Sequence, residues 1–354
     1  MEDTASSSLE SQCSVPWLVF PYGKGKQNHA LYNIFEPENN RKFIPELSRK
    51  TFWQKPSHQG WLIILCDVKD EDNSIPANWN YGDCFLWNPL TFERIQLPSL
   101  LKWITYEPDG EYMIDCVLSS PPSNDNDHPL VLVLYQPMSN LDTYTFLFCH
   151  PGEKHWRTQL FSEKINGEMC EVEYLHCFKD KLYALGINGD CIEIEKQHQV
   201  GDSHNNDNVS LSMRVFQVDD RTFVPLHGAA RDTIMGQRYF VEGQDDLYMI
   251  HVNYNARGSE RVVIAICITR LDFEFMEWKL VSSLGDDVLF VGRKNRICCS
   301  AAKLGLARGC LYCTPPVHQL DEFFLPMGSQ TSPANLGLYK FEVEGAGCYD
   351  IRRV

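Results

Sequence analysis

Short apolar segments, rich in aromatic and β-branched residues, alternate with turn-forming residues along most of the chain. The turns include Pro21-Tyr22-Gly23 and Gly285-Asp286-Asp287. Runs of this length and composition predict β-strands. The clearest segments are 17–20, 61–65, 130–135, 144–149, 261–268 and 288–291.

One hairpin and two short helices complete the local picture. Asn188-Gly189 separates the apolar stretches 182–185 and 191–194, and this dipeptide is a strong signal for a β-hairpin. Helical patterns are confined to 99–105 and 300–307. The polar segments 121–129 and 197–208 are expected to be exposed loops. The pattern therefore predicts an all-β fold.

A repeated leucine–aromatic pair suggests how the strands are arranged. Including Leu86-Trp87, the pair recurs on average about every 56 residues between positions 31 and 311. Such a period fits four-stranded blades with extended loops. We therefore predict a single β-propeller of about six blades over 15–354, after a flexible tail over 1–14. Leu338-Tyr339 suits the strand that closes the ring. An irregular β protein is the alternative.

Charge and composition exclude several classes. The net charge of −15 argues against binding along a nucleic-acid backbone or an anionic membrane. The start, Met1-Glu2-Asp3, lacks the features of a signal peptide, so a cytoplasmic or nuclear protein is expected. The 14 cysteines are scattered through apolar segments, which favours reduced core thiols.

Eight segments of the chain stand out by their order and spacing: 16–20, 60–63, 86–91, 95–98, 270–273, 283–286, 289–292 and 309–312. Taken together, they resemble a plant family, the F-box-associated propellers of the KIB type (domain of unknown function 295). The resemblance implies a propeller with kelch-like repeats that holds a protein target. Members of the family typically also carry an N-terminal F-box, which docks onto a ubiquitin ligase adaptor.

The chain departs from this plan at its start, because only 15 residues precede Pro16. We therefore expect no direct binding to the adaptor. The favoured function is a non-catalytic module that binds a protein client. The alternative is a repurposed propeller that acts as an enzyme or small-molecule binder in plant metabolism.

Motifs for metal or cofactor chemistry are weak. Cys310 and Cys313 have the spacing of half a zinc site, but no second pair of ligands accompanies them, and a strand would place them on opposite faces. No nucleophile elbow, phosphate loop or dinucleotide fingerprint occurs. We therefore predict no metal and no cofactor, and a catalytic role is disfavoured but left open.

The segment 52–81 carries the candidate binding residues. Trp53 and Trp79 lie in polar, turn-rich surroundings, as expected of interface or pocket anchors, although core packing is the alternative. We add His58 and Tyr81 to this predicted binding set. If the chain is an enzyme, His58 and Asp83 are the first acid–base candidates.

Overall fold

The computed structural model is built almost entirely from antiparallel sheets, as the sequence predicts. Within several strands only the backbone is described. The described residues are 17–22, 28–33, 41–43, 51–54, 61–66, 82–88, 91–104, 112–122, 129–137, 143–162, 164–165, 168–170, 172–186, 190–198, 209–216, 234–243, 245–257, 260–291, 296–313 and 339–342.

The N-terminal half contains a three-stranded sheet and two four-stranded blades. The three-stranded sheet pairs β1 (Trp17–Tyr22), β2 (Asn28–Asn33) and β3 (Arg41–Phe43). Blade 1 is β4 (Thr51–Gln54), β5 (Leu62–Leu65), β6 (Cys84–Trp87) and β7 (Arg94–Leu97), followed by α1 (Leu101–Ile104). Blade 2 is β8 (Tyr112–Leu118), β9 (Val131–Pro137), β10 (Tyr144–Cys149) and β11 (Arg157–Phe161).

Three further blades follow a small hairpin formed by β12 (Lys164–Ile165) and β13 (Glu168–Met169). Blade 3 is β14 (Val172–Phe178), β15 (Lys181–Gly186), β16 (Cys191–His198) and β17 (Val209–Phe216). Blade 4 is β18 (Ile234–Glu242), β19 (Leu247–Arg257), β20 (Glu260–Asp272) and β21 (Glu277–Leu280). Blade 5 contains β22 (Asp287–Val291), β23 (Arg296–Ser300), α2 (Ala301–Leu304), β24 (Cys310–Cys313) and β25 (Tyr339–Glu342).

The described residues thus form five complete four-stranded blades, so the expected count of about six is too high. The leucine–aromatic pair at 31 counts as a repeat unit, but it lies in the three-stranded sheet. Elsewhere the pair does mark blades. In blades 2, 3 and 4 it occupies the second strand, where Leu134 and Tyr135, for example, are both buried. A strand covered on both faces selects two consecutive apolar residues rather than an alternation.

Neighbouring blades pack face to face and share hydrophobic cores, which establishes their order around the ring. The inner strand β14 contacts both β8 and β18, and β18 in turn contacts β23. Side chains from the two partner blades meet in each core: Leu65 with Val133 between blades 1 and 2, Phe146 with Ala184 between blades 2 and 3, Phe178 with Phe240 between blades 3 and 4, and Ile250 with Leu289 between blades 4 and 5.

Blade 5 departs from a simple up-and-down order. Its strands run β23-β22-β24-β25, with β24 parallel to β22. The short helix α2 makes the crossing: the Ser300 hydroxyl accepts a hydrogen bond from the Lys303 N–H at 3.2 Å, and Gly305 ends the helix at φ +67°. Tyr339 lies in β25, which pairs with β24. The predicted closing strand therefore completes blade 5 and is not shared with the N-terminal sheet.

The remaining local predictions are largely confirmed. Strands β15 and β16 pair antiparallel, with Leu185 opposite Cys191, which confirms the predicted hairpin. Cys310 and Cys313 belong to different hydrophobic clusters, so they do lie on opposite faces of β24. Twelve cysteines lie in the described ranges; all are free thiols and nine are buried. Neither helix in these ranges has the length and apolar character of a membrane span.

Candidate functional site: the inner rim

Polar side chains from consecutive blades come together at one end of the ring of inner strands. They lie on β8, β14, β18 and β23, with one contribution from the second strand β19. All are half-buried, so they line the solvent-facing edge of the interblade cores. We call this set the inner rim: Asp115, Glu173, Tyr174, Arg238, His251 and Arg296.

The centre of the inner rim is a cation–π contact between two blades that are not neighbours. The guanidinium carbon of Arg296, in blade 5, lies 4.6 Å from the ring centroid of Tyr174, in blade 3. The Arg296 side chain thus passes the inner strand of blade 4. Burial raises the pKa of Tyr174 to about 12, and the positive charge of Arg296 partly opposes that rise.

Asp115 connects blade 2 to blade 3. Its Oδ2 accepts a hydrogen bond from the backbone N–H of Leu175 at 2.6 Å. Leu175 lies on an inner strand, whose exposed edge has no further strand to pair with, so the carboxylate replaces a missing ladder partner. A second bond, from the Cys177 thiol to the Ser119 carbonyl at 3.1 Å, shows that β8 and β14 run in the same direction.

Arg238 and His251 lie opposite each other on β18 and β19. Burial, and secondarily the charge of Arg238, lower the pKa of His251 to about 4, so this histidine is neutral at pH 7. The ring lies over Gly236, where an added Cβ would overlap its Nε2. Glycine at 236 therefore permits the histidine to reach toward the inner edge of the blade.

The end of the ring that holds the inner rim also receives the β5–β6 connection of blade 1. Gly82, at the close of that connection, accepts a hydrogen bond from the Leu100 N–H at 2.8 Å. The helix that follows Leu100 contacts blade 2 at the end of β9, where Trp103 and Tyr135 form an edge-to-face pair. Strands β8 and β14 run in the same direction, so both begin at the same end of the ring. Because β9 is antiparallel to β8, it ends there, close to the rim residues at the start of β14.

Of the four predicted binding residues, Trp53 is the one that lies in a described part of the chain. His58, Trp79 and Tyr81 lie outside the described residues. Trp53 lies in β4 opposite Ile63, and nothing further of its side chain is described. The β4–β5 connection, which carries His58, leaves blade 1 at the end opposite to the β5–β6 connection, which carries Trp79 and Tyr81.

Asp83 is half-buried at the start of β6, beside α1, and does not belong to the inner rim. Its carbonyl accepts a hydrogen bond from the Cys66 N–H at 2.9 Å, and its charge acts on Arg94. The catalytic role of His58 and Asp83 stays a prediction. The predicted binding segment 52–81 therefore includes two connections that leave blade 1 at opposite ends.

The rim residues themselves were missed by the sequence reasoning, although a local signal existed. Asp115 and Glu173 are acids inside otherwise apolar strands, which is unusual for a core-facing segment. Arg296 and Tyr174 gave no such signal, because their contact depends on the closure of the ring.

The opposite end of the ring presents apolar side chains at hairpin tips. Phe92 and Phe275 lie between the third and fourth strands of blades 1 and 4 and are 63% and 65% exposed. Each tip is held by a side chain: the Asn88 Oδ1 accepts from the Thr91 N–H, and the Asp272 Oδ1 accepts from the Phe275 N–H. These tips form a second accessible surface, distinct from the inner rim.

The fold and the rim together define a β-propeller with a polar inner rim. Comparison with known proteins agrees: the family model described as KIB1-4 beta-propeller matches residues 27–350. The chain belongs to this family. It is also 22% identical over 281 residues to an F-box/kelch-repeat protein of Arabidopsis thaliana. That alignment covers 77% of this chain and 62% of the relative, so the chain spans less than two thirds of the relative's length.

Proposed function

We propose that this chain is a non-catalytic interaction module that binds a protein client through the end of the propeller that carries the inner rim. The family and the F-box/kelch-repeat relative support an interaction role. The observation that carries the choice of surface is the gathering of half-buried charged and aromatic side chains from consecutive blades. A surface assembled from several rigid strands presents such groups in fixed positions, which suits specific recognition.

The predicted aromatic residues extend this surface. The β5–β6 connection, with Trp79 and Tyr81, leaves blade 1 at the end of the ring that holds the rim, and we propose both as client anchors. Trp53 and His58 remain proposed binding residues at blade 1. Truncation of an aromatic anchor typically costs 2 kcal/mol or more of binding free energy.

The test is quantitative affinity purification of the tagged chain and two variants from cells of a plant in which it is expressed. Gly236→Ala forces the His251 ring out of its position, and because a mobile side chain absorbs the clash, the fold should persist. Leu160→Ser alters the outer strand of blade 2, where Leu160 is 71% exposed, and serves as the matched control. We expect the client to be lost with Gly236→Ala and Trp79→Ala and kept with Leu160→Ser.

Two results would contradict this proposal. One is the absence of any reproducible protein partner for the wild-type chain. The other is a partner that is lost with Leu160→Ser and kept with both rim-side variants. A parallel purification with the ligase adaptor as bait tests separately whether the chain docks onto it directly. Fluorescent tagging tests the proposed cytoplasmic or nuclear location.

A second function, small-molecule binding at the inner rim, is favoured by one observation. Tyr174 and His251 both lie in the inner rim. Burial raises the pKa of Tyr174 and lowers the pKa of His251. Groups with such shifted pKa values cluster at functional sites. A thermal-shift screen of plant metabolites separates the two functions. A compound that stabilises the wild-type chain but not Gly236→Ala would support this second function. If turnover is found, His58 and Asp83 remain the first catalytic candidates.

A further inference from the structure

The Arg296–Tyr174 contact has the properties of a recognition point for an acidic group. An arginine stacked on an aromatic ring keeps its planar set of N–H donors in a fixed orientation, so less side-chain entropy is lost when a ligand binds. Within the described part of the chain, the contacts of Arg296 are this ring contact and electrostatic interactions with Tyr174 and Tyr239. Its guanidinium edge is therefore available to an incoming acceptor.

The acids of the inner rim take part in other hydrogen bonds, so they do not occupy the N–H donors of Arg296. Asp115 accepts the Leu175 N–H, and Glu173 shares a side-chain hydrogen bond with Tyr174. Arg238 contributes a second positive charge on the neighbouring inner strand, and the adjacent His251 is neutral. The chain as a whole carries a net charge of −15, so this positive feature is local and selects one group rather than an acidic surface.

From this geometry we propose that Arg296, held by Tyr174, binds a carboxylate of the protein client, supplied by an aspartate or glutamate side chain. The inference rests on the proposed function and names the chemistry that the client must present. A carboxylate matches the guanidinium because two oxygens can accept two parallel N–H bonds.

The experiment measures capture of peptides by the immobilised full chain. The probes are random nonapeptide pools with blocked termini and a fixed central residue, which is glutamate in one pool, glutamine in a second and phosphoserine in a third. The wild-type chain should retain the glutamate pool about tenfold more than the glutamine pool, as expected of a charge-assisted bidentate contact.

Variants show whether Arg296 is responsible. Arg296→Gln should abolish the preference for glutamate, and Arg296→Lys should reduce it, because lysine keeps the charge but loses the planar donors. Tyr174→Phe should keep the preference, whereas Tyr174→Leu, which removes the ring, should weaken it. Arg308→Gln is the matched control, because Arg308 is a more exposed arginine of the same blade that already faces Asp286.

Equal retention of the glutamate and glutamine pools by the wild-type chain would overturn the inference, as would an unchanged preference in Arg296→Gln. Stronger retention of the phosphoserine pool would overturn the choice of carboxylate. The native client separates the two proposals. A client that co-purifies equally with the wild type and Arg296→Gln contradicts this inference alone, whereas the absence of any client contradicts the proposed function.

Discussion

Replacement of Asp115 by alanine should loosen the junction between blades 2 and 3. The carboxylate accepts the Leu175 N–H at 2.6 Å and lies half-buried between the inner strands. A hydrogen bond to a charged group contributes about 1.5–3 kcal/mol, and water entering at the rim recovers part of that loss. We therefore expect Asp115→Ala to lower the free energy of unfolding by about 1–2 kcal/mol. Asp115→Asn retains an oxygen acceptor and should lose about half as much.

Two assays test this prediction. Urea unfolding followed by tryptophan fluorescence gives the free-energy change, with Asp245→Ala as a control, since Asp245 is exposed in the β18–β19 turn. Hydrogen exchange of the peptide over 172–178 reports the Leu175 amide directly, and its protection should fall in Asp115→Ala more than in Asp115→Asn. Unchanged exchange in both variants would refute the assigned role of Asp115.

Three further predictions concern two more contacts between blades and the rim histidine. Gln159 exchanges two hydrogen bonds with the backbone of buried Leu211, at 2.8 and 3.0 Å, so Gln159→Leu should cost about 2 kcal/mol in urea unfolding, and a cost near zero would show that water replaces both bonds. The buried Tyr248 hydroxyl donates to the Asp287 Oδ2 at 3.0 Å, so Tyr248→Phe should lower the unfolding free energy by about 1–2 kcal/mol, and a variant as stable as the wild type would contradict this. Because the pKa of His251 falls to about 4 on folding, the unfolded chain binds the extra proton first as the pH drops below about 6.5. Stability should therefore fall by about 2 kcal/mol from this group between pH 7 and pH 5, and His251→Gln should flatten that part of the pH profile; an equal slope in the variant would refute it.

The strands and the ring could be predicted from the sequence because their determinants are local. Burial on both faces of a second strand favours pairs such as Leu182-Tyr183, and such pairs occur in the second strands of blades 2, 3 and 4. The predicted count of about six blades was too high, because the pair at Leu31 lies in a three-stranded sheet. The parallel placement of β24 beside β22 has no local signature, because the same apolar residues are buried in either strand order.

The inner rim could be predicted only in part, because only some of its determinants are local in the sequence. An acid within an apolar strand, such as Asp115, is visible in the sequence as a polar group that needs a partner. The stacking of Arg296 on Tyr174 joins residues from blades 3 and 5 and depends on the curvature of the ring. Gly236 likewise reads as an ordinary strand glycine until the position of the His251 ring is known.

The most direct test of the central proposal is hydrogen exchange of the full chain with and without its co-purified client. We expect the client to protect peptides from the inner strands β14, β18 and β23, which carry the rim, together with the β5–β6 connection. Protection confined to the hairpin tips at Phe92 and Phe275, or to the outer strands, would place the client elsewhere and contradict the proposal.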